Sequence, residues 1–178
     1  MHKKFLKLVI LFFVFSCSDD NPNHKKNDPF RGMSSSKRKK EMEGALKRSS
    51  KKEHQQIDSF LERHNILAEK TGTGVRYAIY EKGVGSKVKS GDVVEVSYLI
   101  TNIKGDTIYE VPDSVPVKFK VEKSEKESGL HEAIKYLSPE SKAIIVIPSY
   151  RAYGISGDDN KIPPLTSVVY NIKLHRVL

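Results

Sequence analysis

The stretch Ala143-Ile-Ile-Val-Ile-Pro-Ser-Tyr-Arg-Ala-Tyr-Gly-Ile-Ser-Gly-Asp-Asp-Asn-Lys-Ile-Pro-Pro164, followed by Ser167-Val-Val-Tyr-Asn-Ile-Lys-Leu174, decides how the chain is read. Two β-branched, apolar runs flank a loop from Pro148 to Pro164, pinned at both ends. Loops with fixed ends are where functional groups concentrate. Tyr153 precedes Gly154, a residue free to turn the backbone sharply. Pro163 and Pro164 stiffen the exit after Ile162. A tyrosine on one lip and an isoleucine on the other predict a small apolar pocket with one hydroxyl aimed into it. The alternative is a surface loop whose tyrosines pack down on the sheet.

Working outward, Val75–Tyr80 reads as a strand and Val93–Ile103 as a long strand with Val94, Val96 and Tyr98 on one face. Thr107–Val111 returns after the Lys104-Gly-Asp106 turn, and Val117, Phe119 and Val121 alternate as a further short strand. Ser128–Leu137 is the single helical pattern of this region. Ser128 is placed at its N-cap; Leu130, Ala133, Ile134 and Leu137 form its buried stripe, and Ser138-Pro139 stops it. The predicted fold class is α+β: a curled antiparallel sheet of about five strands wrapped on one short helix, filling residues 71–178.

Ahead of that domain, Ile57, Phe60, Leu61 and His64 fall on one helical face, predicting an amphipathic helix over 51–70 with His64 as a half-buried packing residue. Thr71-Gly-Thr-Gly74 breaks it. Such a helix needs a surface to lie on: the domain, a second copy through self-association of residues 51–70, or a partner. Residues 17–50 are rich in Asn, Ser, Lys, Asp and Pro and read as a flexible tether. Residues 1–16 read as a signal, with Lys3, Lys4 and Lys7 ahead of Leu8–Phe15, an apolar run too short to span a bilayer as a helix. The signal ends at Ser16-Cys17 and resembles a bacterial lipoprotein lipobox, which implies acylation of Cys17 and a membrane anchor. Ser18-Asp19-Asp20 resembles the surface-export signal of Bacteroidetes lipoproteins. The alternative is an ordinary signal peptide, or an uncleaved anchor, with an incidental cysteine.

The formal net charge is +9, yet residues 71–178 carry 15 bases against 13 acids. A nucleic-acid-binding domain concentrates its excess charge on the folded face, so nucleic acid is not an expected partner. One cysteine excludes an intramolecular disulfide and a cysteine-based metal site. The six histidines are scattered, and His131 beside Glu132 reads as a surface pair. Ser149 and Ser156 lack the context of a nucleophile elbow. Neither a metal nor a cofactor is expected.

Gly91-Asp-Val-Val-Glu-Val-Ser-Tyr98, the Gly105 turn, Pro116-Val-Lys-Phe119, Ser128-Gly-Leu130, Ala152-Tyr-Gly154, Ile162-Pro-Pro164 and Val168–Leu174 stand in one order. Together they resemble the FKBP-type peptidyl-prolyl cis-trans isomerases over nearly all of residues 75–178. With the leader, the tether and Ser128-Gly-Leu-His131, the chain more narrowly resembles the gliding-motility-associated lipoproteins of Bacteroidetes. The resemblance implies isomerisation of X-Pro bonds in exported envelope proteins, with a chaperone or motility role. It also implies a prolyl pocket walled by Tyr98, Ile108, Tyr109, Phe119, Leu130, Ile162 and Tyr170, with the Tyr153 hydroxyl on the ligand carbonyl.

Several positions depart from the family pattern. Leu130 stands where many members have the tryptophan of the pocket floor, and Tyr170 where phenylalanine is usual. Lys126-Glu127 replaces an apolar pair. The family's Phe-Asp pair aligns on Ile108-Tyr109, or shifted by one on Tyr109-Glu110, so its aspartate is missing. These departures leave open a second reading, a catalytically weak binding module in an envelope or motility complex. For the anchor, mass spectrometry of the mature protein is expected to find Cys17 acylated; an unmodified thiol there refutes it.

Overall fold

The structure, a computed structural model, describes residues 32–178. The signal sequence, Cys17 and residues 18–31 of the expected tether lie outside the described residues. The chain divides into a unit ending at Glu43 and a second unit from Gly44 to Leu178, and the second holds the sheet.

Helix α1 spans Ser35–Arg63, 29 residues. This corrects the expected boundaries at both ends: residues 35–50 are helical rather than tether, and 64–70 are not helical. The stretch 35–50 lacks an apolar stripe, so periodicity is silent there. It is nonetheless proline-free and built largely from Lys, Arg, Glu, Ala, Leu and Met, which lose little freedom in a helix. The helix ends at Arg63, ahead of a turn at Asn65, rather than at the glycines of 71–74. Asn65 adopts φ 53°; its N–H donates to the Glu62 carbonyl at 3.1 Å and the Ile66 N–H to the Leu61 carbonyl at 2.9 Å. That pair of bonds is a Schellman stop, with Asn in the left-handed position that usually takes Gly. His64 therefore sits just past the helix, exposed, with its ring 4.6 Å from that of Phe60.

Seven strands follow: β1 Glu69–Lys70, β2 Arg76–Glu81, β3 Val93–Asn102, β4 Thr107–Val111, β5 Val117–Lys120, β6 Lys142–Ile147 and β7 Val168–Val177. All pair antiparallel in the order β1-β2-β6-β7-β3-β4, with β5 also on β3. The count exceeds the expected five partly because β1 is two polar residues long and carries no pattern. β3 is central. Along one edge it pairs with β7 from Val94↔Val177 to Asn102↔Val168. Along the other it pairs first with β5 and then with β4.

Strand alternation sends side chains to two cores. Ile145 and Ile147 of β6 join Val168, Tyr170 and Ile172 of β7 and Val94, Val96, Tyr98 and Ile100 of β3 in the main core. Against these packs helix α2, Ser128–Ile134, whose stripe Leu130, Ala133, Ile134 and the following Leu137 is fully buried. Ser128 is not the N-cap. Glu127 takes that position without a side-chain cap bond, and the Ser128 hydroxyl donates to the Arg151 carbonyl at 3.1 Å. His131 is buried rather than a surface partner of Glu132. Its Nδ1 accepts the Glu122 N–H at 3.0 Å and its Nε2 lies 3.2 Å from the Ser124 carbonyl.

The opposite face of β6 and β7 answers which surface α1 uses. Ile57, Phe60 and Leu61 pack there on Val146 and Val169. The amphipathic stripe is thus covered by the domain's own sheet. Arg76, only 1% exposed, fastens it. Its guanidinium donates to Asp58 Oδ1 from Nε at 3.2 Å and Nη2 at 2.7 Å, to the Gly74 carbonyl, and to His54 Nδ1 at 2.9 Å. Burial, and then the Arg76 charge, hold His54 below its ordinary pKa, which keeps Nδ1 free to accept. Ile57→Ala is expected to lower stability to urea by about 2–4 kcal/mol, while Gln55→Ala on the exposed face changes it by less than about 0.5 kcal/mol.

Candidate functional site

The loop between β6 and β7 is held at both ends by one side chain of α1. Glu53 Oε1 accepts the Ser149 N–H and the Ser167 hydroxyl, each at 2.6 Å, and Oε2 accepts the Ser149 hydroxyl at 3.1 Å. Ser149 opens a 3-10 turn, Ser149–Arg151. Tyr150 leans back on α1, its hydroxyl donating to the Thr73 carbonyl at 2.8 Å and lying 3.1 Å from His54 Nε2. Gly154, at φ +66°, closes the loop: its N–H reaches the Ser149 carbonyl at 2.7 Å and its carbonyl takes the Leu165 N–H at 2.9 Å. At Gly157 a Cβ would lie 2.2 Å from the Ile162 carbonyl oxygen, so only glycine fits this fold-back.

The fold-back brings the two lips together. All eight residues expected to form the pocket belong to the main core of the sheet, drawn from β3, β4, β5, α2, β7 and the loop, together with the other side chains of that core. Tyr98, Ile108, Phe119, Leu130, Ile162 and Tyr170 are buried; Tyr109 and Tyr153 are partly so. The Tyr98 and Tyr170 rings meet edge to face, 5.3 Å between centroids. This follows from register: Tyr98 pairs with Ile172 and Ile100 with Tyr170, so the two tyrosines are diagonal neighbours on one face.

Three charged residues enter this cluster, and they change its chemistry. Glu127, 8% exposed, accepts a hydrogen bond from the Tyr153 hydroxyl through Oε1. Its Oε2 is buried and has no partner, as is the hydroxyl of Tyr170. Burial, then the hydrogen bond and charge of Glu127, push the Tyr153 phenol far above its ordinary pKa. Burial and then the Glu127 charge do the same to Tyr170. Lys126 takes the other side: its Nζ donates to the Tyr98 hydroxyl at 3.0 Å and stands 5.3 Å from that ring's centroid.

Asp158 is the third, and the sequence reading passed over it. Its Oδ1 accepts the N–H groups of Ile162 at 2.7 Å and Asn160 at 3.1 Å, while Oδ2 accepts the Tyr109 hydroxyl. Burial opposes ionisation, but the bonds from Tyr109 and the loop N–H groups outweigh it and hold the carboxyl below its ordinary pKa. Tyr109 is pushed up in return, first by that hydrogen bond and then by burial. So a carboxylate does meet the β4 tyrosine, although no aspartate stands in β4. The local signal was an Asp two residues before Asn160 in a glycine-bounded turn, a position where Asp commonly accepts loop N–H bonds.

The family model for FKBP-type peptidyl-prolyl cis-trans isomerase matches residues 85–175. A probable FKBP-type isomerase FkpA of Neisseria meningitidis is 30% identical over 109 residues, covering 60% of this chain and 39% of the relative. FK506-binding protein 2 of Dictyostelium discoideum is 28% identical over 108 residues, 60% of this chain and 80% of that protein. Among solved structures, FkpA from Escherichia coli superposes with a TM-score of 0.63 at 25% identity, covering 76% of this chain and 63% of the other. A peptidyl-prolyl isomerase of Pseudomonas syringae pv. tomato gives 0.61 at 25% identity, over 74% and 94%. The chain spans 39% and 54% of the length of the FkpA relatives from Neisseria and Buchnera aphidicola.

The Asp158 bonds have a measurable consequence. Asp158→Ala is expected to speed exchange of the Asn160 and Ile162 amide protons by about tenfold or more, leaving the β6 amides unchanged. A depressed folded pKa means the contribution is present above the ordinary Asp value, near 3.9, and is lost as pH falls through the lower folded value. The wild-type loop should therefore loosen only in strong acid.

Proposed function

The chain belongs to the FKBP-type peptidyl-prolyl cis-trans isomerase family, and from that premise we propose that it catalyses cis-trans isomerisation of X-Pro bonds at the Tyr98–Tyr153–Ile162–Tyr170 cluster. One observation carries the reading: aromatic and aliphatic side chains from five secondary-structure elements converge beneath a loop that ends in Ile162-Pro163-Pro164. Amide resonance keeps the X-Pro bond planar, behind a barrier near 20 kcal/mol. At the twisted transition state resonance is lost, and the carbonyl oxygen and the nitrogen carry less opposite charge. Water favours the polar planar form; apolar walls favour the twisted one, and that difference in binding is the catalysis. No covalent bond is made or broken, so no nucleophile is needed. The Tyr153 hydroxyl holds the carbonyl of residue X, for which it must leave Glu127.

In the finer reading, the clients are exported envelope proteins and the chain is held to a bacterial membrane through Cys17. It serves folding, chaperone or gliding-motility functions, as in the lipoproteins it narrowly resembles. Among the described residues no helix is long and apolar enough to cross a membrane; the proposed anchor is the acylated Cys17. Self-association through residues 51–70 would use their exposed side, because Ile57, Phe60 and Leu61 lie on the sheet. The binding-module reading draws support from Glu127, which occupies the very hydroxyl a substrate carbonyl needs.

The test is X-Pro exchange by NMR on proline tetrapeptides. The chain is expected to accelerate exchange, Tyr153→Phe to lower the rate by about three- to tenfold, and Ile162→Asp to abolish it with the amide spectrum of the fold intact. No acceleration by the wild type selects the binding module. Full activity in a folded Ile162→Asp variant moves the site elsewhere.

A further inference from the structure

Glu127 is a carboxylate with half of its hydrogen-bonding unmet. Oε1 takes the Tyr153 hydroxyl, whereas Oε2 is enclosed with nothing donating to it. The residue is more than nine-tenths buried. Leaving a buried charged acceptor unpaired is costly, so such an atom is normally met by a water or a ligand. Lys126, the preceding residue, does not relieve it: its ammonium turns to Tyr98 across the cluster, and no ion pair joins the two. The Asp158 charge also bears on Tyr153. The Tyr153 side of the site therefore carries two carboxylates; the Tyr153 hydroxyl is committed to Glu127, and the Tyr170 hydroxyl, near enough to feel the Glu127 charge, completes no hydrogen bond.

The position of that oxygen says which part of a substrate meets it. Tyr153 holds the carbonyl of residue X, so a carboxylate bonded to Tyr153 lies beside residue X rather than beside the residue after proline. We propose that Glu127 determines specificity by selecting X-Pro segments in which X is lysine or arginine. The cationic side chain supplies the donor that Oε2 lacks and, by drawing the carboxylate to itself, releases the Tyr153 hydroxyl to the X carbonyl. An acidic X meets Glu127 and Asp158 and is rejected; an apolar X leaves Oε2 unpaired. Binding of the right client and exposure of the tyrosine are then one event. This rests on the isomerase reading of the site.

The test uses the full chain and a peptide series Ala-X-Pro-Ala with X as Lys, Arg, Gln, Leu or Glu. It reads dissociation constants from amide shift titrations and, separately, isomerisation rates from NMR exchange. Lys and Arg peptides are expected to bind about tenfold tighter than Leu and Gln peptides, with Glu weakest. The preference should shrink with rising salt, as a charge interaction must. Glu127→Gln, nearly the same in shape, is expected to bring the Lys-to-Gln binding ratio close to one. Equal affinity across the series in the wild type, or a Lys preference that survives both Glu127→Gln and high salt, overturns the proposal. The salt series in the wild type decides it alone if the variant does not fold. Acceleration without any preference for X sinks only the charge selection; binding preference without acceleration sinks only the isomerase reading.

Discussion

The pairing of β3 with β7 is the constraint on which the other features hang. It runs from Val94↔Val177 to Asn102↔Val168, with one bulge between Glu95 and Val96. Because side chains alternate across a strand, this register places Val94, Val96, Tyr98 and Ile100 against Val168, Tyr170, Ile172 and Leu174 on one face. A slip by one residue would put Tyr98 and Tyr170 on opposite faces of the sheet. The same pairing puts the end of the β6–β7 loop next to the edge where β4 joins β3. That is how Asp158 of the loop reaches Tyr109 of β4.

The second face of the sheet matters as much to the loop as the first. Helix α1 covers Val146 and Val169 there, and its Glu53 takes hydrogen bonds from Ser149 and Ser167, the two ends of the loop. A loop of this length would ordinarily be mobile. Here its ends are tied by one carboxylate, its middle is folded back at Gly157, and its exit is stiffened by two prolines. The helix thus supports the site although it contributes none of the eight cluster residues.

The site itself combines two opposed tendencies. An apolar enclosure lowers the polarity around a twisting amide, which is what the isomerase chemistry requires. Yet the enclosure contains two carboxylates, an ammonium and four tyrosine hydroxyls, each of which seeks a partner in that low-dielectric setting. Most find one: Tyr153 with Glu127, Tyr98 with Lys126, Tyr109 with Asp158. Glu127 Oε2 and the Tyr170 hydroxyl do not.

Much of this was legible in the chain. Alternation gave β3 and its inward face, apolar β-branched runs gave β6 and β7, and the α2 stripe of Leu130, Ala133, Ile134 and Leu137 followed from helical spacing. The eight cluster residues were nameable because their order along the chain matches a family pattern. Residues 35–50 were misread because a helix with no apolar stripe leaves no periodic trace, and α1 stopped at Arg63, before Asn65, whose left-handed turn is less conspicuous than glycine. The partners of the charged residues were not legible at all. Glu53 with Ser149 and Ser167, Arg76 with Asp58, Glu127 with Tyr153 and Asp158 with Tyr109 join residues 18 to 114 positions apart or bridge separate elements. Sequence alone determines local periodicity, because propensity and side-chain alternation act over a few residues. Which carboxylate meets which hydroxyl was decided only by tertiary structure, because strand register and helix docking set those distances.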